Sequence, residues 1–124
     1  DFHRILNCEF LLNLPQDKSR DWQDSLDIFE EIVKSKIDKN KLFIFVLSEE
    51  ENYKDNKTIN YLDRKFMREN IKLTNNLKDI SESSKIIFIA QSGKINSSKL
   101  DLIKTKLKSL NCNFLGWTYI AWDF

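Results

Sequence analysis

Leu42-Phe43-Ile44-Phe45-Val46-Leu47 is an unbroken apolar run of aromatic and branched residues, and Ile86-Ile87-Phe88-Ile89-Ala90 is a second. Each is short for a helix and lacks the alternation of a strand with one wet face, so both faces of the strand it forms must be covered. Around the two runs the apolar residues change to helical spacing. Trp22, Leu26, Phe29, Val33 and Ile37 fall on one helix face, with Asp21 placed as N-cap and Lys39-Asn40 as the stop. Ile59, Leu62 and Phe66 mark a second helix ending near Asn70. Leu100, Ile103, Leu107 and Leu110 mark a third, opened by Ser98 with Asp101.

The remaining segments are read outward from these. Arg4 to Leu12 is β-compatible and reads as a strand or extended arm, stopped at Leu14-Pro15 because proline donates nothing to a ladder. Ile71-Lys72-Leu73 is a short strand, Leu77 to Ser84 has no clear period, and Phe114 to Trp122 is the last strand. Doubly apolar strands alternating with amphipathic helices predict an α/β three-layer sandwich with a mainly parallel central sheet. Leu42–Leu47 and Ile86–Ala90 are expected as adjacent or near-adjacent central strands. Residues 1–124 read as a single domain, and Asp1 in place of methionine points to a processed chain or a piece of a longer protein.

Composition narrows the function classes. Average glycine usage of about 7% gives roughly nine in a chain of this length, whereas the 124 residues contain two, Gly93 and Gly116. Glycine-rich ligand loops are therefore starved. Twenty basic and nineteen acidic residues leave a net charge of +1, so no global field steers nucleic acid or an anionic membrane, and no nucleic-acid partner is expected. No apolar run is long enough to span a bilayer, and no secretory signal pattern is present. Cys8 and Cys112 have no CxxC spacing, and His3 is the one histidine. These counts point to a reducing, cytoplasmic setting and give no zinc site. No cofactor or metal is expected.

In open α/β sheets ligands gather beyond the carboxyl ends of the strands, which directs attention to Ser48–Thr58 and Gln91–Lys94. Here the run Ser84 to Lys94, the Lys- and Leu-rich helix after it, and Leu110-Asn111-Cys112-Asn113-Phe114-Leu115-Gly116 resemble the strand–helix–strand end of bacterial tyrosine kinases that regulate exopolysaccharide chain length. The resemblance implies a P-loop scaffold, with Val46-Leu47-Ser48, Lys57-Thr58 and the following helix in the place of the phosphate-binding strand, loop and helix. The residues depart from that chemistry. A P-loop turns successive backbone N–H groups onto phosphate through glycines, yet Ser48 to Lys57 contains no glycine and carries Glu49, Glu50, Glu51 and Asp55. The family's tyrosine-rich tail is also missing.

The reading that follows is a degenerate, non-catalytic P-loop-like domain regulating exopolysaccharide chain length or export through protein–protein contacts, by binding a partner or itself. The full protein is then expected to carry a membrane tether, with this segment as its cytosolic part. An unrelated α/β interaction or signalling module, including a receiver-like fold without its phosphorylation site, is the alternative. A nucleotide-binding transferase is the third. The candidate interaction residues are Ser48, Glu49, Glu50, Glu51, Lys57, Thr58 and Gln91, expected to gather near the strand carboxyl ends. The glutamate run is read as a solvated acidic loop in preference to a Mg²⁺ site. Trp117 and Tyr119 are read as core, Trp122 as lying on the opposite face, and Gly93 as a turn glycine.

Overall fold

The computed structural model describes residues 2–91 and 94–121. Strands β1 (Phe10–Leu14), β2 (Leu42–Leu47), β3 (Lys72–Thr74), β4 (Lys85–Gln91) and β5 (Asn113–Ile120) form one parallel sheet in the order β1-β5-β4-β2-β3. The helices are α1 (Phe2–Leu6), α2 (Trp22–Ser35), α3 (Lys57–Met67) and α4 (Ser97–Ser109). The two apolar runs are the centre of the sheet: β2 pairs with β4 from Leu42 opposite Lys85 to Leu47 opposite Ala90. Every residue of β2 is buried.

Strand alternation sends the two sets of side chains to opposite layers. Ile44, Val46, Ile87 and Ile89 meet Leu26, Phe29 and Val33 of α2 and Ile59, Leu62 and Phe66 of α3. Phe43, Phe45, Leu47, Ile86, Phe88 and Ala90 meet Leu6 of α1 and Leu100, Ile103 and Leu107 of α4. Burying one such side chain stabilises the fold by about 1.5–3 kcal/mol, so the helical spacing in the sequence becomes cohesion only through the sheet. The expected three-layer α/β sandwich is the observed one.

Several local expectations are corrected. The first segment is not one strand: Phe2–Leu6 is a helical turn, and Asn7, at φ 50°, turns the chain before β1 begins at Phe10. Asparagine tolerates that left-handed conformation, and Leu6 is fully buried as a result. Asp21 precedes α2 without a side-chain cap bond, and Ile37 lies past the helix end, exposed. The cap of α4 is Asn96, whose side chain accepts from the Lys99 amide at 2.8 Å, in place of Ser98. The stretch without clear period contains a 3-10 turn at Leu77–Asp79. Trp117 and Tyr119 do pack on the α1/α4 face, half-buried, while Trp122, Ser92 and Gly93 lie outside the described residues.

Candidate functional site

The strand order places the candidate site. The chain leaves β2 for its neighbour β3, then crosses back over β2 to β4 and continues outward to β5. The connections after β2 and β4 therefore depart to opposite faces, because α3 packs on one layer and α4 on the other. A crevice at the carboxyl ends of two such strands is where open α/β sheets receive ligands. Ser48 follows β2 and Gln91 ends β4, both buried.

At the mouth of that crevice the described loop residues bond to one another. The Glu49 amide donates to the Lys94 carbonyl at 3.0 Å, and Lys94 Nζ contacts both oxygens of the Glu50 carboxylate at 3.0 and 3.2 Å. The Glu50 amide donates to Ser48 Oγ at 3.2 Å. From the β3 side, Asn75 Nδ2 donates to the carbonyls of Ser48 and Glu50 at 3.0 and 3.2 Å. Glu49 and Glu51 are exposed. Backbone groups that a ligand would otherwise satisfy are thus paired internally.

The amino end of α3 is closed in the same way. Asn56 Oδ1 accepts from the Thr58 and Ile59 amides at 2.9 and 3.1 Å, taking donors that a helix start otherwise offers to an anion. Thr58 is fully buried and its Oγ1 accepts from the Trp22 indole N–H at 2.9 Å. Lys57 Nζ lies 3.4 Å from Asp17. The expected candidates are therefore divided: Ser48, Glu49, Glu50 and Glu51 follow β2 and Gln91 ends β4, whereas the side chains of Lys57 and Thr58 engage Asp17 and Trp22, on the side of the β1–α2 connection.

The flank beyond β3 is pinned by Asp79. Its carboxylate accepts from Thr74 Oγ1 and lies 3.3 Å from Lys72 Nζ. The Thr74 hydrogen bond, aided by Lys72, holds the Asp79 carboxyl below the usual carboxylate range. Among the described residues, no cluster of three or more acidic, histidine or cysteine side chains is arranged around a metal position. Nor is any helix among them long and apolar enough to cross a membrane.

Asn75 is not among the candidates read from the sequence, although an asparagine pair directly after a short strand is a turn signature. The Trp22–Thr58 bond joins residues 36 apart in the chain, and no local pattern announces it. Comparison of the sequence with protein-family models finds no matching family, and neither characterised proteins nor solved structures give a match.

Proposed function

We propose that this chain is a non-catalytic P-loop-like domain that acts through protein–protein contacts at the carboxyl edge of its sheet, in the regulation of exopolysaccharide chain length or export. The observation that carries the non-catalytic part is at the start of α3. The amides and hydroxyl that would meet phosphate and Mg²⁺ in a P-loop are bonded instead to Asn56 and Trp22. The internal Glu50–Lys94 pair supports the same reading, since it pairs opposite charges from the chain itself beside the crevice. The assignment to the exopolysaccharide-regulating kinases rests on the sequence resemblance over residues 84–116.

Titration with ATP and Mg²⁺ by calorimetry is expected to be flat. A dissociation constant in the micromolar range, or nucleotide bound against Lys57, overturns the reading and favours the transferase alternative. For the contact surface, replacing Glu49, Glu50 and Glu51 together with alanine should leave folding stability within about 0.5–1 kcal/mol, because exposed charges contribute little. The same variant should lose association in pull-down or sedimentation measurements. Wild-type behaviour there moves the surface elsewhere.

A second reading is favoured by the strand order. Counted from β2, the strands run 2-1-3-4 from the β3 edge, with β1 in the fifth place. The first four places match the 2-1-3-4-5 order of flavodoxin-like sheets, receivers included, while the fifth is filled by the strand that precedes the other four in the chain; this order supports an unrelated α/β signalling module. A transmembrane helix encoded next to this segment favours the first reading, and its absence favours the second.

A further inference from the structure

The outer side of α3 carries a second surface, which starts beside the carboxyl edge at Lys57 and runs along the helix away from it. Lys57, Tyr61, Arg64 and Arg68 recur at spacings of four, three and four, which lines them along one side of the helix over roughly 16 Å. Two depressions follow this line and share Tyr61 and Arg64. One, of about 530 Å³, extends to Trp22, Lys54 and Asn60. The other, of about 270 Å³, is walled by Lys65 and Arg68. Lys57 and Lys65 are held by Asp17 and Glu30 at 3.4 and 3.8 Å. Arg64 and Arg68 are exposed, and among the described residues neither has a carboxylate within ion-pair distance.

The aromatic wall of the groove is fixed in advance. Trp22 is tied to Thr58 through its indole N–H. Tyr61 Oη accepts from Gln23 at 3.3 Å, and the two rings stand edge to face with centroids 5.6 Å apart. A ligand that meets them finds little side-chain freedom left to lose.

We propose that this groove docks an acidic peptide segment of a partner protein, with carboxylates on Arg64 and Arg68 and an apolar side chain against Trp22 and Tyr61. The helical rise from Arg64 to Arg68 is about 6 Å, close to the roughly 6.7 Å between alternate side chains of an extended peptide. Two carboxylates two residues apart therefore meet both guanidinium groups, each in the paired geometry that arginine favours. A nucleic-acid strand suits the groove less well. Its charge is continuous, whereas Asp55 lines the groove and Asp17 and Glu30 stand beside its lysines. A bilayer suits it less well, since Trp22 and Tyr61 are half-buried and tied by hydrogen bonds to Thr58 and Gln23, which leaves neither ring free to insert. The groove adjoins the carboxyl edge at Lys57, but Arg64 and Arg68 lie in the second half of α3 and just past its end, so the proposal does not depend on the P-loop reading.

The test is fluorescence anisotropy of a labelled peptide containing Glu-Phe-Glu, titrated with the protein at low salt. Saturable binding that weakens with added salt is expected. Arg64→Glu/Arg68→Glu should weaken it by about a hundredfold or more, at about tenfold for each lost charged hydrogen bond. Both arginines are exposed, so circular dichroism of the variant should match the wild type. The charge-matched Lys106→Glu/Lys108→Glu variant on α4 should bind normally. The proposal fails if wild type does not bind, if a Gln-Phe-Gln peptide binds equally, or if the two variants behave alike. Tighter binding of oligothymidylate or of phosphatidylserine vesicles, lost in the arginine variant, also overturns it and assigns the groove to that other anion.

Discussion

The two faces of the sheet are covered by different means. On one, α2 and α3 bring six core side chains, Leu26, Phe29, Val33, Ile59, Leu62 and Phe66, each no more than 1% exposed. On the other, α4 works with the short α1 and the Leu77–Asp79 turn, and its fringe of half-buried residues includes Phe2, Phe114, Trp117 and Tyr119. Phe10, 41% exposed, packs edge-on to Trp117 with ring centroids 4.8 Å apart, and the buried Trp117 indole N–H has no hydrogen-bond partner among the described residues. Two long crossover helices side by side seal a layer. One long helix and a single turn leave aromatic rings to finish the cover, at the cost of an unpaired donor.

The largest test of this contrast is a pair of truncations followed by chemical denaturation. Phe66→Ala on the sealed face should cost about 3–5 kcal/mol. Phe114→Ala on the other face should cost about half as much or less, because its site is already partly open to water. Equal losses would mean that the two layers are equally dense.

Gly116 probes the junction between β5 and the edge strand β1, where Leu11 packs towards the α2/α3 layer. The β4–β5 and β1–β5 registers both slip near it, between Ile86 and Ile87 and between Phe10 and Leu12. A Cβ at Gly116 would lie 2.9 Å from the Glu9 carbonyl and 2.7 Å from the Leu11 side chain. Gly116→Ala should therefore destabilise by about 1–3 kcal/mol, with amide exchange rising along β1 before it rises along β2. Uniform acceleration would count against a local effect.

The smallest test is acid. Asp79 anchors the turn that carries Leu77 and Ile80 onto the α1/α4 face. Its pKa is lowered on folding, so the unfolded chain binds the proton more readily. The stabilisation is complete above the unfolded carboxylate value of about 3.9 and is lost as pH falls through the lower folded value. Hydrogen exchange on that face should loosen first below pH of about 4, and Asp79→Asn should remove this acid step while leaving the α2/α3 layer unchanged.

The same contrast governs what the sequence revealed. β2, β4 and the faces of α2 and α3 were legible because their burial is complete, and complete burial imposes a period on the residues. Arg4–Leu12 reads as a strand or extended arm, and its helical start is hidden because α1 is a single turn whose only fully buried residue is Leu6. A break that depends on Asn7 adopting φ 50° leaves no periodic trace. At the candidate site, Ser48 and Gln91 could be placed from the rule about strand carboxyl ends. The bonds from Asn75 to Ser48 and from Trp22 to Thr58 span 27 and 36 residues and depend on the crossovers, so they are visible only in three dimensions. The pairing of β1 with β5 is hidden for the same reason.

That last pairing bears on the order in which the molecule assembles. Phe10 stands opposite Trp117 and Leu14 opposite Ile120, so β1 has no strand to join until nearly the whole chain has been made and β5 is in place. β2, α3 and β3 are close in sequence and close a short loop, a cost that grows with chain separation. Folding should start there and at β4, with β1 docking after the transition state. Conservative truncations at Leu14 should then change mainly the unfolding rate, and those at Ile44 mainly the folding rate. On this account β1 is the last strand to join the sheet and the first to leave it.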